Sequence, residues 1–387
     1  MISISHNTSR IPGSGIRKIF DAATGITGVI HLEVGDPDFR TPSHIIEAAH
    51  RAAMRGDTHY APSAGKPRLR EAIAAKLMSE NGIKCEPSQI IVTVGAVGAV
   101  ASALLSVLDP GDEVMVTDPY WPNYLGLTTM AGGKLVPIKL HEELGFAPDL
   151  DEIQDKITSR TKVLILNSPN NPTGGVLPED LLMKIGEIAL RHRMLVISDE
   201  VYEKIVFDGT RHFSLGSVPE FRDNVLTVNG MSKTFAMTGW RIGYACGPQN
   251  VIDAMAKIYQ ISVSSVSSVI QEAALAALTG PQEPVLEMVR AYQRRRDLVV
   301  AGLESIPGIT CVKPKGAFYV MPNISSYGMT SLDFSLALLN RGKVATVPGS
   351  ALGQNGEGYI RISCATSEDN LKEALGRMKD FVTTLSK

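Results

Sequence analysis

The sequence predicts an α/β protein in which helices wrap a largely parallel β-sheet. Short, continuously apolar segments alternate along the chain with helical segments, and strands that are covered on both faces have this character. Glycine accounts for 35 of the 387 residues, while only 6% of residues are aromatic, which suits a fold with many tight strand-to-helix turns. A chain of this length is expected to form one large and one smaller domain.

The first part of the chain precedes the strand–helix alternation. Residues 1–30 are irregular and rich in glycine, so we expect them either to fray or to lie across another subunit. Residues 30–34 form a short predicted strand. A helix is predicted to begin near residues 41–43, where proline lies in the first turn before apolar residues at helical spacing. A second helix covers residues 66–81 and ends at Gly82.

The strand–helix alternation proper follows. The predicted strands of the main sheet cover residues 90–94, 113–117, 135–138, 162–166, 194–198 and 224–228. Helices are predicted between them, for example over residues 95–108 and 178–191. Parallel connections are right-handed, and functional groups collect at the carboxyl ends of such strands. Candidate site residues are therefore expected directly after these strands.

The character of the sequence changes after about residue 282. A long charged helix is predicted over residues 283–302, and shorter mixed elements follow to the C-terminus. We therefore expect a domain change near this helix.

Composition and charge exclude several classes of function. The formal net charge is −2, from 38 basic and 40 acidic residues, so nothing indicates a nucleic-acid partner. The most apolar stretch, residues 92–108, is interrupted by glycine and serine, and no membrane span is predicted. The N-terminus is polar and has no apolar segment of the kind found in signal peptides, so no signal peptide is predicted. The four cysteines lie far apart without a CxxC pair, which argues against a metal site and indicates reduced thiols in a cytoplasmic protein.

One glycine turn and three polar segments follow the predicted strands. The turn, residues 95–98 (GAVG), opens a helix whose N-terminal N–H groups can bind an anion. No P-loop and no convincing GxGxxG motif is present, which disfavours a P-loop ATPase and a nicotinamide dehydrogenase. The three polar segments are residues 167–174 (NSPNNPTG), 199–202 (DEVY) and 229–244 (NGMSKTFAMTGWRIGY). Lys233 lies in the last segment among apolar and small residues, where burial favours the neutral amine.

Together, these segments resemble the class I pyridoxal-phosphate aminotransferases of fold type I, especially the bacterial aspartate-aminotransferase-like branch. The resemblance covers about residues 15–367, and the motifs occur in the family's order and spacing. It implies a large domain with a mostly parallel seven-stranded sheet sandwiched by helices, and a smaller α/β domain formed by both chain ends. The implied boundaries are residues 1–45 for the N-terminal arm and part of the small domain, 46–285 for the large cofactor-binding domain, and 286–387 for the remainder of the small domain.

The resemblance also implies residue roles around pyridoxal 5'-phosphate. Lys233 matches the lysine that forms an aldimine with the cofactor and then moves a proton. Asp199 matches the carboxylate that keeps the pyridine nitrogen protonated. Asn171 and Tyr202 match the pair that hydrogen-bonds the phenolic oxygen of the ring. The other implied cofactor contacts are Arg241, Ala96, Val97 and Ser232 near the phosphate, Trp121 stacked on the ring, and Tyr60 from the neighbouring subunit.

For the substrate, the resemblance implies an arginine that binds the α-carboxylate. Arg361 matches this arginine, and Gly35 matches a backbone contact to the same carboxylate. The further implied substrate contacts are Trp121, Asn171 and Ile16. The implied reaction moves an amino group from an L-amino acid to a 2-oxo acid by a ping-pong mechanism. A homodimer is implied because Tyr60 would complete the partner's site.

Two departures from the family pattern bear on specificity. Gly230 stands where many relatives use a serine to bind the phosphate. Residues 260–268 contain no arginine or lysine, whereas dicarboxylate-specific relatives bind the distal carboxylate with an arginine from this stretch. Residues 14–20 are similar to the arm that covers the substrate in broad-specificity aminotransferases. The sequence therefore favours broad specificity that includes aspartate, alanine and aromatic amino acids.

Other activities on the same scaffold stay open at this point. A pyridoxal-phosphate lyase or a cyclopropane-forming synthase would use the same cofactor residues. A ligand-sensing regulator without enzymatic activity is a further alternative, although such proteins carry an added DNA-binding segment. The sequence does not identify the preferred amino-acid donor or 2-oxo acid acceptor.

Overall fold

The computed structural model describes residues 2–11, 13 and 15–385, except for the side chain of Ile16. Its α-helices are α1 (His6–Arg10), α2 (Gly15–Ala23), α3 (Ser43–Met54), α4 (Pro67–Lys76), α5 (Gly95–Val107), α6 (Asn123–Met130), α7 (Leu150–Asp155), α8 (Glu179–Arg191), α9 (Met231–Thr234), α10 (Gln249–Ser262), α11 (Ser268–Thr279), α12 (Glu283–Glu304), α13 (Ser331–Ala337) and α14 (Glu368–Thr383). Its strands are β1 (Ile30–His31), β2 (Ile90–Thr93), β3 (Glu113–Asp118), β4 (Lys134–His141), β5 (Ala147–Pro148), β6 (Thr161–Asn167), β7 (Leu195–Asp199), β8 (Val225–Gly230), β9 (Gly243–Cys246), β10 (Tyr319–Val320), β11 (Val344–Ala345), β12 (Val347–Pro348) and β13 (Ile360–Ser363).

The main sheet has eight strands in the order β2-β9-β8-β7-β6-β3-β4-β5. The five strands from β8 to β4 are mutually parallel. Strand β9 runs antiparallel to both β8 and β2, so β2 points in the same direction as the parallel strands. The carboxyl ends of six strands therefore meet at one edge of the sheet.

The predicted fold class is confirmed, and the sheet contains one strand more than the seven predicted. Strand β9 begins at the end of the polar segment of residues 229–244. It starts with Gly243 and is only four residues long, so its sequence lacks the apolar run of its neighbours. Strand β5 has two residues, one of them Pro148, and pairs antiparallel with β4 at the sheet edge. Proline has no N–H to donate and is confined to such edges.

The two faces of the sheet are covered by separate apolar clusters. Val114 and Val116 belong to one cluster, together with Ala103 of α5, while Met115 between them belongs to the other, together with Ile185 of α8. Successive side chains of a strand point to opposite faces, so a strand that is buried on both faces must be apolar throughout. Each fully buried side chain of this kind contributes about 1.5–3 kcal/mol, which explains the continuous apolar runs in the sequence.

The last turn of the helix predicted over residues 66–81 is π-helical rather than α-helical. The helix consists of α4 and a π-helical turn over Leu77–Asn81. Pro67 lies in its first turn, where its missing N–H has no consequence. Gly82 ends the π-helical turn with φ of 72°, a conformation that glycine adopts without strain.

The two ends of the chain meet in a second, smaller region. Strand β1 pairs in parallel with β11, and β10, β13 and β12 form a three-stranded antiparallel sheet. The predicted boundaries at residues 45 and 285 stay predictions; helix α12 is continuous across residue 285. Among the described residues, no helix combines the length and the apolar character needed to cross a membrane.

Candidate active site

One cavity of about 700 Å3 lies at the carboxyl edge of the main sheet. We call the side formed by residues that follow β2, β3, β6, β7 and β8 the sheet wall. The opposite side, which we call the terminal wall, comes from the segment after β1 and from β10 and β13. The predicted site residues on these walls are Gly35, Ala96, Val97, Trp121, Asn171, Asp199, Tyr202, Ser232, Lys233, Arg241 and Arg361.

Lys233 lies on the short helix α9 and reaches across the cavity. Its Nζ donates a hydrogen bond to the carbonyl oxygen of Gly35 at 2.6 Å. The same Nζ is 5.6 Å from the centre of the Phe318 ring and 6.0 Å from that of Tyr202. The amine is thus surrounded by aromatic faces, and its hydrogen bond links the two walls.

Asp199 ends β7 and is buried, with 3% of its surface exposed. The Tyr124 hydroxyl donates to its Oδ2 at 2.6 Å, and the Val201 N–H donates to its Oδ1 at 3.3 Å. Burial raises the pKa of Asp199 to about 6, although the hydrogen bonds from Tyr124 and Val201 act in the opposite direction. A cationic group facing Asp199 would therefore favour its ionised form.

Arg361 on β13 is buried, with 2% of its surface exposed. Its Nη1 donates to Asn171 Oδ1 at 3.0 Å, and its Nη2 donates to the carbonyl oxygen of Glu33 at 2.7 Å. The guanidinium lies 4.4 Å from the centre of the Tyr319 ring. None of the ion pairs found among the described residues includes Arg361, and its Nε is buried without a partner. A buried cation with neutral neighbours is suited to bind an anion.

Tyr202 and Tyr319 join the two walls behind these groups. Their hydroxyl oxygens are 3.0 Å apart. Burial, followed by the neighbouring Tyr319, raises the pKa of Tyr202 well above its ordinary value. Tyr202 is therefore a neutral hydrogen-bonding group over the physiological pH range.

The opposite end of the cavity can bind a second anion. Ala96 and Val97 lie in the first turn of α5, where backbone N–H groups have no helical partner. A Cβ on Gly95 would lie 2.8 Å from Arg241 Nη2, so the glycine allows the guanidinium to approach this turn. Ser232 adds a hydroxyl on the same wall. A guanidinium beside a helix N-terminus suits a phosphate.

Two of the predicted contacts are not part of the described cavity. Tyr60 is 90% exposed and lies away from the cavity wall. The side chain of Ile16 is outside the described part of the chain.

Sequence reasoning missed two tyrosines. Tyr124 follows Trp121 by three residues, and its place in the first turn of α6 after β3 could have suggested a position near the site. Tyr319 lies 117 residues from its partner Tyr202, and no local pattern marks it. Tyr319 is therefore found only once the chain is folded.

The comparisons with known proteins fit this arrangement. A family model described as aminotransferase class I and II matches residues 27–378. The chain belongs to this aminotransferase family. It is 44% identical over 381 residues to an aspartate aminotransferase of Pyrococcus abyssi, and 42% identical over 381 residues to aromatic-amino-acid aminotransferase 2 of Thermococcus litoralis. Each alignment covers 98% of both chains.

A solved structure supports the same assignment. The aspartate aminotransferase from Thermus thermophilus with maleate matches this fold with a TM-score of 0.94 at 42% identity, covering 98% of this chain and 100% of that one. The family resemblance inferred from the sequence is therefore confirmed: this aminotransferase is of the class I, aspartate aminotransferase type, and it is an enzyme that transfers amino groups. The alternative of a non-enzymatic ligand sensor has no support among these relatives.

Proposed function

We propose that this aminotransferase binds pyridoxal 5'-phosphate as an aldimine at Lys233 and works by a ping-pong mechanism. An L-amino acid donates its amino group and leaves as a 2-oxo acid, and a second 2-oxo acid then receives the group. The observation that carries the proposal is the buried Arg361, which has no acidic partner among the described residues and faces the same cavity as Lys233.

The chemistry of the sheet wall fits the cofactor. In the proposed arrangement Arg241, Ser232 and the N–H groups of Ala96 and Val97 bind its phosphate. Asp199 faces the ring nitrogen at the other end, where a proton on that nitrogen would be paired with the carboxylate. Asn171 and Tyr202 would contact the phenolic oxygen of the ring, and Trp121 would stack on the ring face. When bound, the cofactor supplies an electron-withdrawing ring that makes the substrate Cα–H acidic.

The terminal wall fits the substrate. Arg361 and Asn171 would bind the α-carboxylate, with the Gly35 backbone beside it. Lys233 Nζ lies 2.6 Å from the Gly35 oxygen, so the amine can reach the region that the substrate would occupy. We propose that Lys233 moves the proton between the substrate Cα and the cofactor.

We further propose a homodimer in which Tyr60 reaches the partner's cofactor phosphate. The Tyr60 side chain is 90% exposed and that of Ile261 is 87% exposed. Their two segments are joined, because Ser268 Oγ donates to the His59 carbonyl at 2.9 Å and the Ala61 N–H donates to Ser265 Oγ at 3.3 Å. Exposed apolar side chains on two joined segments suit a subunit contact.

For substrate scope, we propose broad specificity over aspartate, alanine and aromatic amino acids. The relatives include enzymes named for aspartate and for aromatic amino acids, and residues 260–268 carry no cation. We propose that the reaction takes place in the cytoplasm, which is supported by the four free cysteines.

The decisive experiment is borohydride reduction of the purified protein followed by peptide mapping. The pyridoxyl group should be found on Lys233, and a label on another lysine would contradict the proposal. Mixing the unreduced enzyme with a panel of L-amino acids should convert the bound cofactor to its aminated form and release the matching 2-oxo acid in equal amount. Release of ammonia or of a cyclised product instead would favour the lyase or the synthase.

A further inference from the structure

The turn that carries Asp199 and Tyr202 has a second side that faces away from the cavity. Asp199 and Tyr202 line the cavity wall. Glu200, which lies between them in the chain, and Glu203, which follows Tyr202, do not line it. Glu200 has 0% and Glu203 7% of its surface exposed. Two carboxylates are thus buried directly behind the turn on which the proposed function depends.

Hydrogen bonds and ion pairs satisfy both carboxylates. Glu200 accepts from Ser198 at 2.9 Å, from Ser214 at 2.6 Å and from His212 Nε2 at 2.9 Å. Glu203 accepts from Asn81 at 2.6 Å and pairs with the Lys76 ammonium. The amide of Asn81 also lies 3.5 Å from Glu200. We call Lys76, Asn81, Glu200, Glu203, His212 and Ser214 the rear network.

The charges of the rear network balance when His212 is protonated. Burial, the largest influence, disfavours the imidazolium, but Glu200 and then Glu203 outweigh it and raise the pKa of His212. Burial also acts against ionised Glu203, but Lys76 and Asn81 lower its pKa. The network then contains two negative and two positive charges. Glu200, Glu203 and His212 are residues of the types that bind metal ions, and they lie close together. The Lys76 ammonium already neutralises Glu203, so the charges balance without a metal ion.

Other titratable groups face this region without changing the balance. Glu80 lies 3.7 Å from Lys76 and pairs with Lys204 at 2.9 Å, which adds one charge of each sign. Tyr244 and Cys246 are buried nearby. Burial and then Glu203 raise the pKa of Tyr244, and the Cys85 thiol and then burial raise the pKa of Cys246, so both groups are neutral. On the cavity side, Tyr124, Lys233 and Tyr202 lie near Asp199, while Tyr319 and Arg361 lie near Tyr202.

We infer that Glu200 and His212 are positioning residues, which hold the Asp199–Tyr202 turn from behind and keep its surroundings electrically neutral. The inference rests on the proposed function, since it concerns the proton on the Lys233 nitrogen in its covalent link to the cofactor. Removing the His212 charge leaves the rear network with a charge of −1. Removing Glu200 also removes the main group that holds the proton on buried His212, so both charges are lost together and the network stays neutral, as it does when both residues are replaced.

The test is a pH titration of the visible absorbance of the holoenzyme, in the native protein and in Glu200→Gln, His212→Gln and the double variant. Because Glu200→Gln also removes the His212 proton, its midpoint should stay close to the native value. A negative rear network favours the proton on the Lys233 nitrogen, so the midpoint of His212→Gln should rise. This shift should be roughly 0.6 to 1.2 pH units, as for one charge about 10 Å away at an effective dielectric constant of about 20–40. The double variant should return close to the native midpoint.

Two controls separate charge from structure. Ser214→Ala removes a hydrogen bond to Glu200 without a charge and should leave the midpoint unchanged. Glu203→Gln keeps Glu200 beside His212 but leaves Lys76 without its partner carboxylate, which gives a network charge of +1, so its midpoint should fall. It also tests the inference if His212→Gln yields no holoenzyme. Shifts of the same sign in His212→Gln and Glu203→Gln, or an unchanged midpoint in His212→Gln, would overturn the inference. A native protein without a cofactor absorbance band would instead overturn the proposed function.

Discussion

The two walls of the cavity are assembled in different ways. The sheet wall takes Asp199, Lys233 and Arg241 from segments that directly follow strands of one parallel sheet. The terminal wall is made by residues far apart in the chain: Arg361 bonds to Asn171 across 190 residues and to Glu33 across 328. The difference suggests a division of tasks, in which the sheet wall binds the cofactor and supports the chemistry while the terminal wall selects the substrate. Variants of each wall should therefore differ in which kinetic constant they change.

The largest effect is expected for Lys233→Ala on the sheet wall. The variant loses both the covalent link and the proton carrier, so kcat should fall roughly 10⁴-fold or more. Single-turnover rates and the absorbance of the purified protein measure this loss. Lys257→Ala, at an exposed position of α10, is the matched control and should retain the native rate. A Lys233→Ala enzyme with more than a tenth of the native rate would remove the lysine from the mechanism.

Asp199→Asn should have the second largest effect. The amide has the same shape but cannot stabilise a proton on the ring nitrogen, so the barrier should rise by about 4 kcal/mol, or about a thousandfold in kcat. The variant should still fold and bind the cofactor through Arg241 and the α5 N-terminus. Half-reaction rates with one L-amino acid test this, and near-native rates would refute the assigned role.

Arg361→Lys probes the terminal wall. A lysine keeps the charge but loses the two-pronged contact, and hydrogen bonds to charged groups contribute about 1.5–3 kcal/mol. We therefore expect kcat/KM to fall roughly ten- to a hundredfold, mostly through a higher KM, while the affinity for the cofactor is unchanged. Arg191→Lys, at an exposed position of α8, is the control. Loss of cofactor binding in Arg361→Lys would contradict the division between the walls.

Tyr124→Phe tests the sheet wall through the pH dependence of cofactor binding. Protonated Asp199 cannot pair with a protonated ring nitrogen, so cofactor affinity of the apoprotein should fall as the pH drops through about 6. The Tyr124 hydroxyl lowers the pKa of Asp199, and its removal should move this limb to higher pH by about one unit. Tyr319→Phe, on the other wall, should leave the limb in place.

The same pKa has a consequence for the stability of the apoprotein. The folded-state pKa of Asp199 lies above its unfolded value of 3.8, so the folded protein binds this proton more tightly. The contribution of Asp199 to stability is therefore complete below about pH 4 and is lost as the pH rises through about 6. Tyr124→Phe should extend that loss to higher pH in urea titrations of the apoprotein.

The smallest difference is expected between substrates. Without a cation in residues 260–268, kcat/KM for aspartate should lie within roughly tenfold of the values for alanine and phenylalanine, because no charge-assisted contact favours the diacid. Arg17, on the cavity wall and 3.9 Å from Asp21, is the cation to test. A lead of aspartate above about a hundredfold that survives Arg17→Ala would contradict this view of the pocket.

The sequence predicted the sheet wall more completely than the terminal wall, for a physical reason. Parallel strands bring their carboxyl ends together, so the segments after 166, 198 and 228 are expected to meet before any coordinates are known. The neighbours of Arg361 cannot be predicted in this way. Tyr319, for example, lies on a two-residue strand, and no local sequence pattern indicates that it is near Arg361. Strand β9 was missed because its four residues begin with Gly243 and include none of the β-branched residues that mark the predicted strands of the sheet.

The rear network shows the same limit. Nothing in the sequence singled out Glu200 or Glu203. His212, the partner of Glu200, lies about a dozen residues away, and Lys76, the partner of Glu203, lies more than a hundred residues away. Charge neutralisation between such positions depends on the folded distance, which no local pattern gives.

Helix α2 is anchored separately from the main core. Its buried residues Ile19 and Ala23 pack on Leu339 and Ala345 in a small cluster of their own, while Phe20 on the same helix lines the cavity. A segment held by so few contacts opens at a lower free energy than the sheet. Substitutions at the exposed positions of α2, such as Phe20, should therefore cost little folding free energy, and a change in amino-acid preference can arise there without any change in the catalytic residues.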